Sequence, residues 1–391
     1  MTPAARMQAA IEILDGWAPG RHVDRALLAW GRASRFAGSK DRTAVADHVY
    51  DALRRWRSLA WPETGPGGRP RLLALAAEAG LLEAWTGERH APAPPDAAEA
   101  EAAARRLQAL REAAPEAVRL DLPDWILPLW RRSLGEAVEP VAAALTERAP
   151  VDLRVALART TPQKAAAQLA EEGILTAPGP LSAACLRIEA GARALRRSSA
   201  YLDGLVEIQD AASQAAAAFA EASPGERVLD LCAGGGGKAL ALADAGARVD
   251  AHDADPRRMA DLPARAARAR QKIRVLSGAP EAEVYDLVFV DAPCSGSGAW
   301  RRNPDGKWAL TEARLDVLRE AQSDVLDAAL RAVRPGGRIV YCTCSMLACE
   351  NGEPARAFAA RAGWTLEAER ALTPLDGGDG FYMSRLRNNL G

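Results

Sequence analysis

RVLDLCAGGGGKALALADAG, residues 227–246, is the stretch on which the fold turns. A short apolar strand pattern runs into a glycine-rich turn and then into a helical pattern. Glycines 234 to 237 let the backbone pass close to a ligand and accept positive φ. The helix N-terminus beyond them favours a negative group. Outward from this turn, RVLDLC (227–232), ARVDAHD (247–253), IRVLS (273–277), YDLVFVD (285–291) and RIVYCT (338–343) read as buried strands with helical patterns between them. Such alternation predicts a parallel, doubly wound sheet. The second strand ends at Asp253, 23 residues after Asp230, where a carboxylate can bind ribose hydroxyls. A Walker phosphate loop is excluded, because Cys232 and Ala239 stand where its first glycine and its hydroxyl residue belong. Gly234, Gly236 and Ala239 fit the alanine variant of a dinucleotide loop, so the turn alone leaves NAD, S-adenosyl-L-methionine and an unliganded turn open.

Two later segments carry the chemistry. VDAPCSGSGAWRRNPDGKW (290–308) and YCTCSMLACENGE (341–353) each place a cysteine directly after a strand. In an open α/β sheet the strand C-terminal ends form the binding crevice, so Asp253, Asp291, Cys294 and Cys344 are expected to converge there. A thiol suits pyrimidine methylation. C5 of cytosine is a poor nucleophile until a thiolate adds at C6 and makes the ring an enamine. The adduct needs a donor near N3, and a protonated or hydrogen-bonding Asp291 is placed for that. In RRNPDGKW (301–308), Arg301, Arg302 and Lys307 are candidates for phosphate contact, with Asn303 near the base.

The rest of the 391 residues supplies context. Lys and Arg number 50, Asp and Glu 51, for a net charge of −1, and hydrophobic residues make up 49%. This is ordinary globular composition, incompatible with a disordered, collagen-like or polycationic chain. Residues 1–60 hold ten basic against six acidic residues, and residues 61–125 seven against eleven. No apolar run reaches the roughly 18 residues needed to span a bilayer, so no membrane role is expected. Six cysteines without a secretory leader indicate a reducing, cytoplasmic setting. None of the four histidines has zinc-like spacing to a cysteine pair, and no metal is expected.

The first 150 residues read as helical. Met7, Ile11, Leu14 and Trp17 share a helix face, and so do Val45, Val49, Leu53 and Trp56 after a cap at Ser39. WPETGPGGRP (61–70) and TGERHAPAPP (87–96) are connectors, and residues 97–112 a surface helix. From about residue 150, VDLRVALA, TPQKAAAQLAEEG, ILTAPG and ACLRIEA predict a small β-α-β-β insert.

These motifs closely resemble those of the RsmB/Nop/Sun family of RNA cytosine-5 methyltransferases. The family loop D-x-C-A-A-P-G-G-K-T corresponds to Asp230–Ala239, D-A-P-C-S-G-x-G to Asp291–Gly298, and T-C-S followed by E-N to Thr343–Ser345 and Glu350-Asn351. EIQDAASQ (207–214) is similar to a segment ahead of the loop, and DGFYMSRL (379–386) to the terminal strand. The resemblance implies that Cys344 attacks C6 and Cys294 assists release. It implies that Cys232, Ala233, Gly234, Gly235, Gly236, Gly237, Lys238 and Asp253 hold S-adenosyl-L-methionine. Asp291 then lies between cofactor and base, and Lys238 reaches the cytosine. GSKDRTAVADHVYDALRRWR (38–57) is similar to the NusB-type RNA-binding module of the bacterial rRNA branch, which implies small-subunit (16S) rRNA as substrate. Gly234-Gly235 replaces the family's Ala-Pro, Ala239 lacks the hydroxyl, and Ser277-Gly278-Ala279-Pro280 stands where an adenine-binding Asp is usual.

The expected organisation is an all-α NusB-like domain (1–135), a small α/β RNA-recognition-like subdomain (136–205) and a Rossmann-like methyltransferase domain (206–391), acting as a monomer. A tRNA substrate, an RNA-binding assembly factor without turnover, and a NAD-linked oxidoreductase are the alternatives. The last leaves both cysteines unexplained.

Overall fold

The computed structural model describes residues 1–62 and 67–388, so residues 63–66 of the first connector lie outside the described residues. The chain forms two compact units: Met1–Arg148 with Trp300–Thr311, and Ala149–Ala299 with Glu312–Gly391. The expected boundaries at 135 and 205 therefore differ from the observed division. Helix Val138–Thr146 stays with the helices before it, and both sheets fall in one unit.

The first unit is helical. Helix Pro3–Asp15 is capped by Thr2, whose Oγ1 accepts from Ala5 N at 3.1 Å. Its Met7, Ile11 and Leu14 are buried with Val45, Val49 and Leu53 of helix Ser39–Arg54 and Leu72 of helix Arg69–Glu78. The cap of the second of these is Gly38 instead of Ser39, because the Asp41 carboxylate reaches back to Gly38 N at 3.2 Å. Trp17 and Trp56 lie just beyond their helices and pack edge to face, 5.1 Å between centroids. Helix Ala97–Ala113 is mostly exposed as expected, except Arg106, which is buried and donates to Ser58 O at 3.2 Å and to Glu78.

The segment after the first cysteine motif is a structural part of this helical unit. Trp300 stacks on Trp130 at 5.9 Å and 7°. Arg54 Nε donates to Arg301 O (2.8 Å), Lys307 Nζ to Arg54 O (2.9 Å), Trp308 Nε1 to Leu53 O (2.7 Å) and Val23 N to Asp305 Oδ2 (3.1 Å). Lys307 is 3% exposed and Arg301 6%, so these two are not the phosphate-facing cations that the sequence suggested. The Arg54 carbonyl claims the Lys307 side chain, and burial pushes its ammonium down to about 8. Arg302 and Asn303 are exposed.

The second unit holds two sheets. Strands β1 (Asp152–Val155), β2 (Leu175–Pro178), β3 (Cys185–Ala190) and β4 (Val206–Ile208) form an antiparallel sheet in the order β2-β3-β1-β4, with helix Pro162–Glu171 between β1 and β2. This is the ferredoxin-like arrangement. The large sheet comprises β5 (Arg227–Asp230), β6 (Arg248–Ala251), β7 (Ile273–Val275), β8 (Tyr285–Asp291), β9 (Val333–Thr343), β10 (Trp364–Leu372) and β11 (Phe381–Asn388), in the order β10-β11-β9-β8-β5-β6-β7. Strands β5 to β9 are parallel, whereas β11 runs antiparallel to both its neighbours, β9 and β10, so the sheet is mixed where the sequence suggested a parallel one. A boundary at 205 would cut the small sheet itself, because β4 pairs with β1 from beyond it, and would also cut the bond from Leu157 N to Asp244 (2.8 Å). Among the described residues no helix is long and apolar enough to cross a membrane.

Candidate active site

Strand β5 ends at Asp230 and the glycine turn follows. Gly234 and Gly236 have φ of +50° and +79°. A Cβ on Gly236 would lie 2.2 Å from Leu262 Cδ1, so packing as well as conformation demands glycine there. Helix Gly237–Asp244 begins directly after it. At the end of β6, Asp253 is 3% exposed. Its Oδ2 accepts from Gly234 N at 2.9 Å and pairs with Arg258 at 3.2 Å, so this carboxylate also holds the turn in place. Beyond β7, Ser277, Gly278 and Ala279 are exposed, and Glu281 pairs with Arg227 at 2.8 Å.

Asp230 is 1% exposed, and neither carboxyl oxygen has a hydrogen-bond partner. Burial pushes its pKa up to about 7, with Lys238 partly opposing. Between the ordinary carboxyl value of 3.8 and about 7, the folded chain holds a proton that the unfolded chain has released. This group's contribution to stability is present below the lower value and is lost as pH rises through the upper one. Asp230→Asn is therefore expected to gain melting temperature relative to the parent as pH is raised from about 5 to about 8. Parallel thermal melts check this, and a pH-independent difference would refute it.

Lys238 Nζ lies 2.7 Å from Asp291 Oδ2 and 5.1 Å from the Phe381 ring centroid. Burial disfavours its charge, but the Asp291 carboxylate outweighs that and holds its pKa above the ordinary lysine value. Three residues beyond Asp291, Cys294 Sγ lies 3.4 Å from Cys344 Sγ, and both thiols are free. The Cys344 sulfur and burial together raise the Cys294 pKa well above 9.0. Cys232 and Cys342 are likewise raised by burial, Cys232 to about 12. Neither has thiolate character in the folded chain.

One residue to which the sequence reading gave no role joins the two cysteine loops. Glu350 is fully buried. Its Oε1 accepts from Ser295 N (2.8 Å) and Gln322 Nε2 (3.1 Å), and its Oε2 from Ser295 Oγ (2.5 Å) and Ser345 Oγ (2.6 Å). Gln322 also donates to Pro293 O at 2.9 Å, and Asn351 Nδ2 to Ser345 O at 2.9 Å. The available signal was the repeated Cys-Ser dipeptide at 294–295 and 344–345. Gly298 and Gly380 meet backbone to backbone, and a Cβ on Gly298 would lie 2.0 Å from Gly380 O.

The structure thus gathers Cys294, Cys344, Lys238, Asp291, Asp253 and the glycine turn at the strand C-terminal ends of one unit. Arg301 and Lys307 are elsewhere, inside the other. The 16S rRNA methyltransferase RsmB/F family model matches residues 217–385, and a RsmF/B-like ferredoxin-like domain model matches 122–194. The ribosomal RNA small subunit methyltransferase B of Xanthomonas campestris is 32% identical over 361 residues, 86% of this chain and 80% of the relative. That of Vibrio cholerae is 32% identical over 255 residues, 63% of this chain and 58% of the relative's length. The crystal structure of PH0851 has a TM-score of 0.77 at 22% identity, covering 99% of each chain, a likeness of fold. With a relative matched over four fifths of its length, the chain belongs to the RsmB/F methyltransferase family.

Proposed function

We propose that this protein is an S-adenosyl-L-methionine-dependent RNA methyltransferase that modifies C5 of a cytosine in small-subunit ribosomal RNA. The observation that carries this reading is the pair of sulfurs 3.4 Å apart at the strand ends, next to the Lys238–Asp291 ion pair.

The cofactor fits the residues present. It combines a cationic methionine head with a need for close backbone approach. The glycine turn supplies the second, and the buried Asp230 carboxyl without a partner suits the first. Residues Cys232–Lys238 and Asp253 would hold it. When bound, it supplies an electrophilic methyl group.

The chain's own groups do the rest. The thiol of Cys344 loses its proton to solvent, and its sulfur bonds to C6 while the C5–C6 π electrons move onto the ring. Lys238, held by the Asp291 carboxylate, is the donor that would reach the cytosine and stabilise the charge developing at its N3 edge, with Asp291 between cofactor and base. After methylation, loss of the C5 proton to solvent restores the double bond and expels the sulfur from C6. Cys294 stays protonated and donates to the departing thiolate. Burial and the neighbouring sulfur, which raise its pKa, suit it to that task.

Two surfaces support RNA as the partner. Arg302 and Asn303 are exposed directly after the Cys294 motif. In the helical unit, read as NusB-like, Arg21, Arg25, Arg32, Arg35 and Lys40 are exposed, as is Phe36 (76%), which lies between the last two in sequence. Cations beside an exposed ring suit phosphates and stacked bases. The test is transfer of labelled methyl groups by the purified protein to ribosomal RNA that lacks the mark, with bisulfite sequencing of the product. Incorporation at a cytosine resistant to conversion is expected. Absence of cofactor binding by calorimetry would overturn the reading in favour of an assembly factor.

A further inference from the structure

We propose that Glu350 is a positioning residue that fixes the approach of the Cys294 and Cys344 sulfurs. The proposal rests on the methyltransferase reading for its functional consequence, while its geometric part stands on the structure alone.

An ionised carboxylate is acceptor-only and offers about four lone-pair sites. All of Glu350's are used, by Ser295 N, Ser295 Oγ, Ser345 Oγ and Gln322 Nε2. Ser295 and Ser345 are the residues directly after the two cysteines. Because both hydroxyls donate to the carboxylate, their oxygens are free to accept. Ser295 Oγ then accepts from Ser297 N (3.3 Å) and Ser345 Oγ from Leu347 N (3.0 Å). Each bond closes a local turn just beyond its cysteine. A single buried charge therefore sets the hydroxyl directions, the hydroxyls set the two turns, and the turns set where each sulfur points. Gln322 Nε2 extends the clamp to Pro293 O, directly before Cys294.

Glutamine at 350 is nearly isosteric but breaks this arrangement. Its amide nitrogen would face either Ser295 N and Gln322 Nε2, which cannot accept, or the two hydroxyls, which must then turn their protons away from residue 350. Either way the four-donor arrangement is lost and the two turns are held less firmly. Displacement of a reacting group by about 1 Å costs on the order of 10²-fold in rate.

The experiment compares the full-length protein with Glu350→Gln and Ser345→Ala. The first readout needs no catalysis. Mild diamide oxidation couples neighbouring thiols, and peptide mass spectrometry measures the rate of forming the Cys294–Cys344 disulfide. Alkylation of the fully buried Cys342 reports folding in parallel. We expect coupling to slow about tenfold or more in both variants while Cys342 stays protected, and kcat for RNA methylation to fall about 10²-fold with KM unchanged. Coupling within about twofold of the parent in a variant with protected Cys342 would overturn the proposal. If Glu350→Gln exposes Cys342, Ser345→Ala alone decides by the same rate. A parent protein that couples its thiols but methylates no cytosine would refute the enzymatic reading and leave the geometric one standing.

Discussion

Cys344→Ala is expected to lower RNA methylation by at least about 10³-fold and to abolish any covalent protein–RNA complex, with the fold intact. The expected size follows from the chemistry. Without sulfur addition at C6 the ring offers no nucleophilic carbon, so nothing in the remaining site substitutes for the missing bond. Alanine leaves only a small gap at a partly buried position, which keeps the structural cost low. The measurement is single-turnover methyl transfer with the melting temperature as a control. Full activity in this variant would remove Cys344 from the nucleophile's role. If Cys294→Ala then proved inactive in its place, the attack would come from the other strand end.

Cys294→Ala is expected to do the opposite at the level of intermediates. Attack by Cys344 remains, but the protonated neighbour 3.4 Å away that stabilises its departure is gone. A covalent RNA adduct should accumulate, stable to denaturing electrophoresis and dependent on added cofactor, while multiple turnover falls by about 10²-fold or more. A variant that turns over normally and leaves no adduct would assign release to another group, and the raised pKa of Cys294 would then reflect burial without function.

Much of this site was legible in the sequence because its chemistry lies at strand ends. Once 227–232, 247–253, 285–291 and 338–343 are read as parallel strands of one sheet, residues 253, 291, 294 and 344 must emerge on one edge. The observed register of β8 against β5 and β9 does so. The insert was legible for a similar reason, since β1 to β3 alternate or cluster apolar residues. Strand β4 is only three residues long and hides in a segment quoted for its polar motif. Strand β10 is exposed along much of its length and lacks a buried-strand signature. The charged loop misled because composition does not reveal burial. RRNPDGKW reads as a solvated turn, yet Lys307 and Arg301 are buried, Lys307 Nζ on the Arg54 carbonyl and the Arg301 carbonyl on Arg54 Nε, about 250 residues away in sequence. Glu350 stayed unassigned because a carboxylate whose partners are two serines, a backbone amide and a glutamine has no spacing signature.

The stretch from Trp300 to Thr311 has a consequence for how this protein can be cut and inherited. It leaves the catalytic unit immediately after the Cys-Ser-Gly-Ser-Gly turn and is at home only among the first 148 residues. A fragment beginning at residue 149 would expose Trp300 without its stacking partner Trp130 and would bare an ammonium and an aspartate now tucked against helix termini. Such a fragment should be sticky and poorly soluble, so shuffling of this front part onto another catalytic part would need two matched exchanges, one for residues 1–148 and one for residues 300–311.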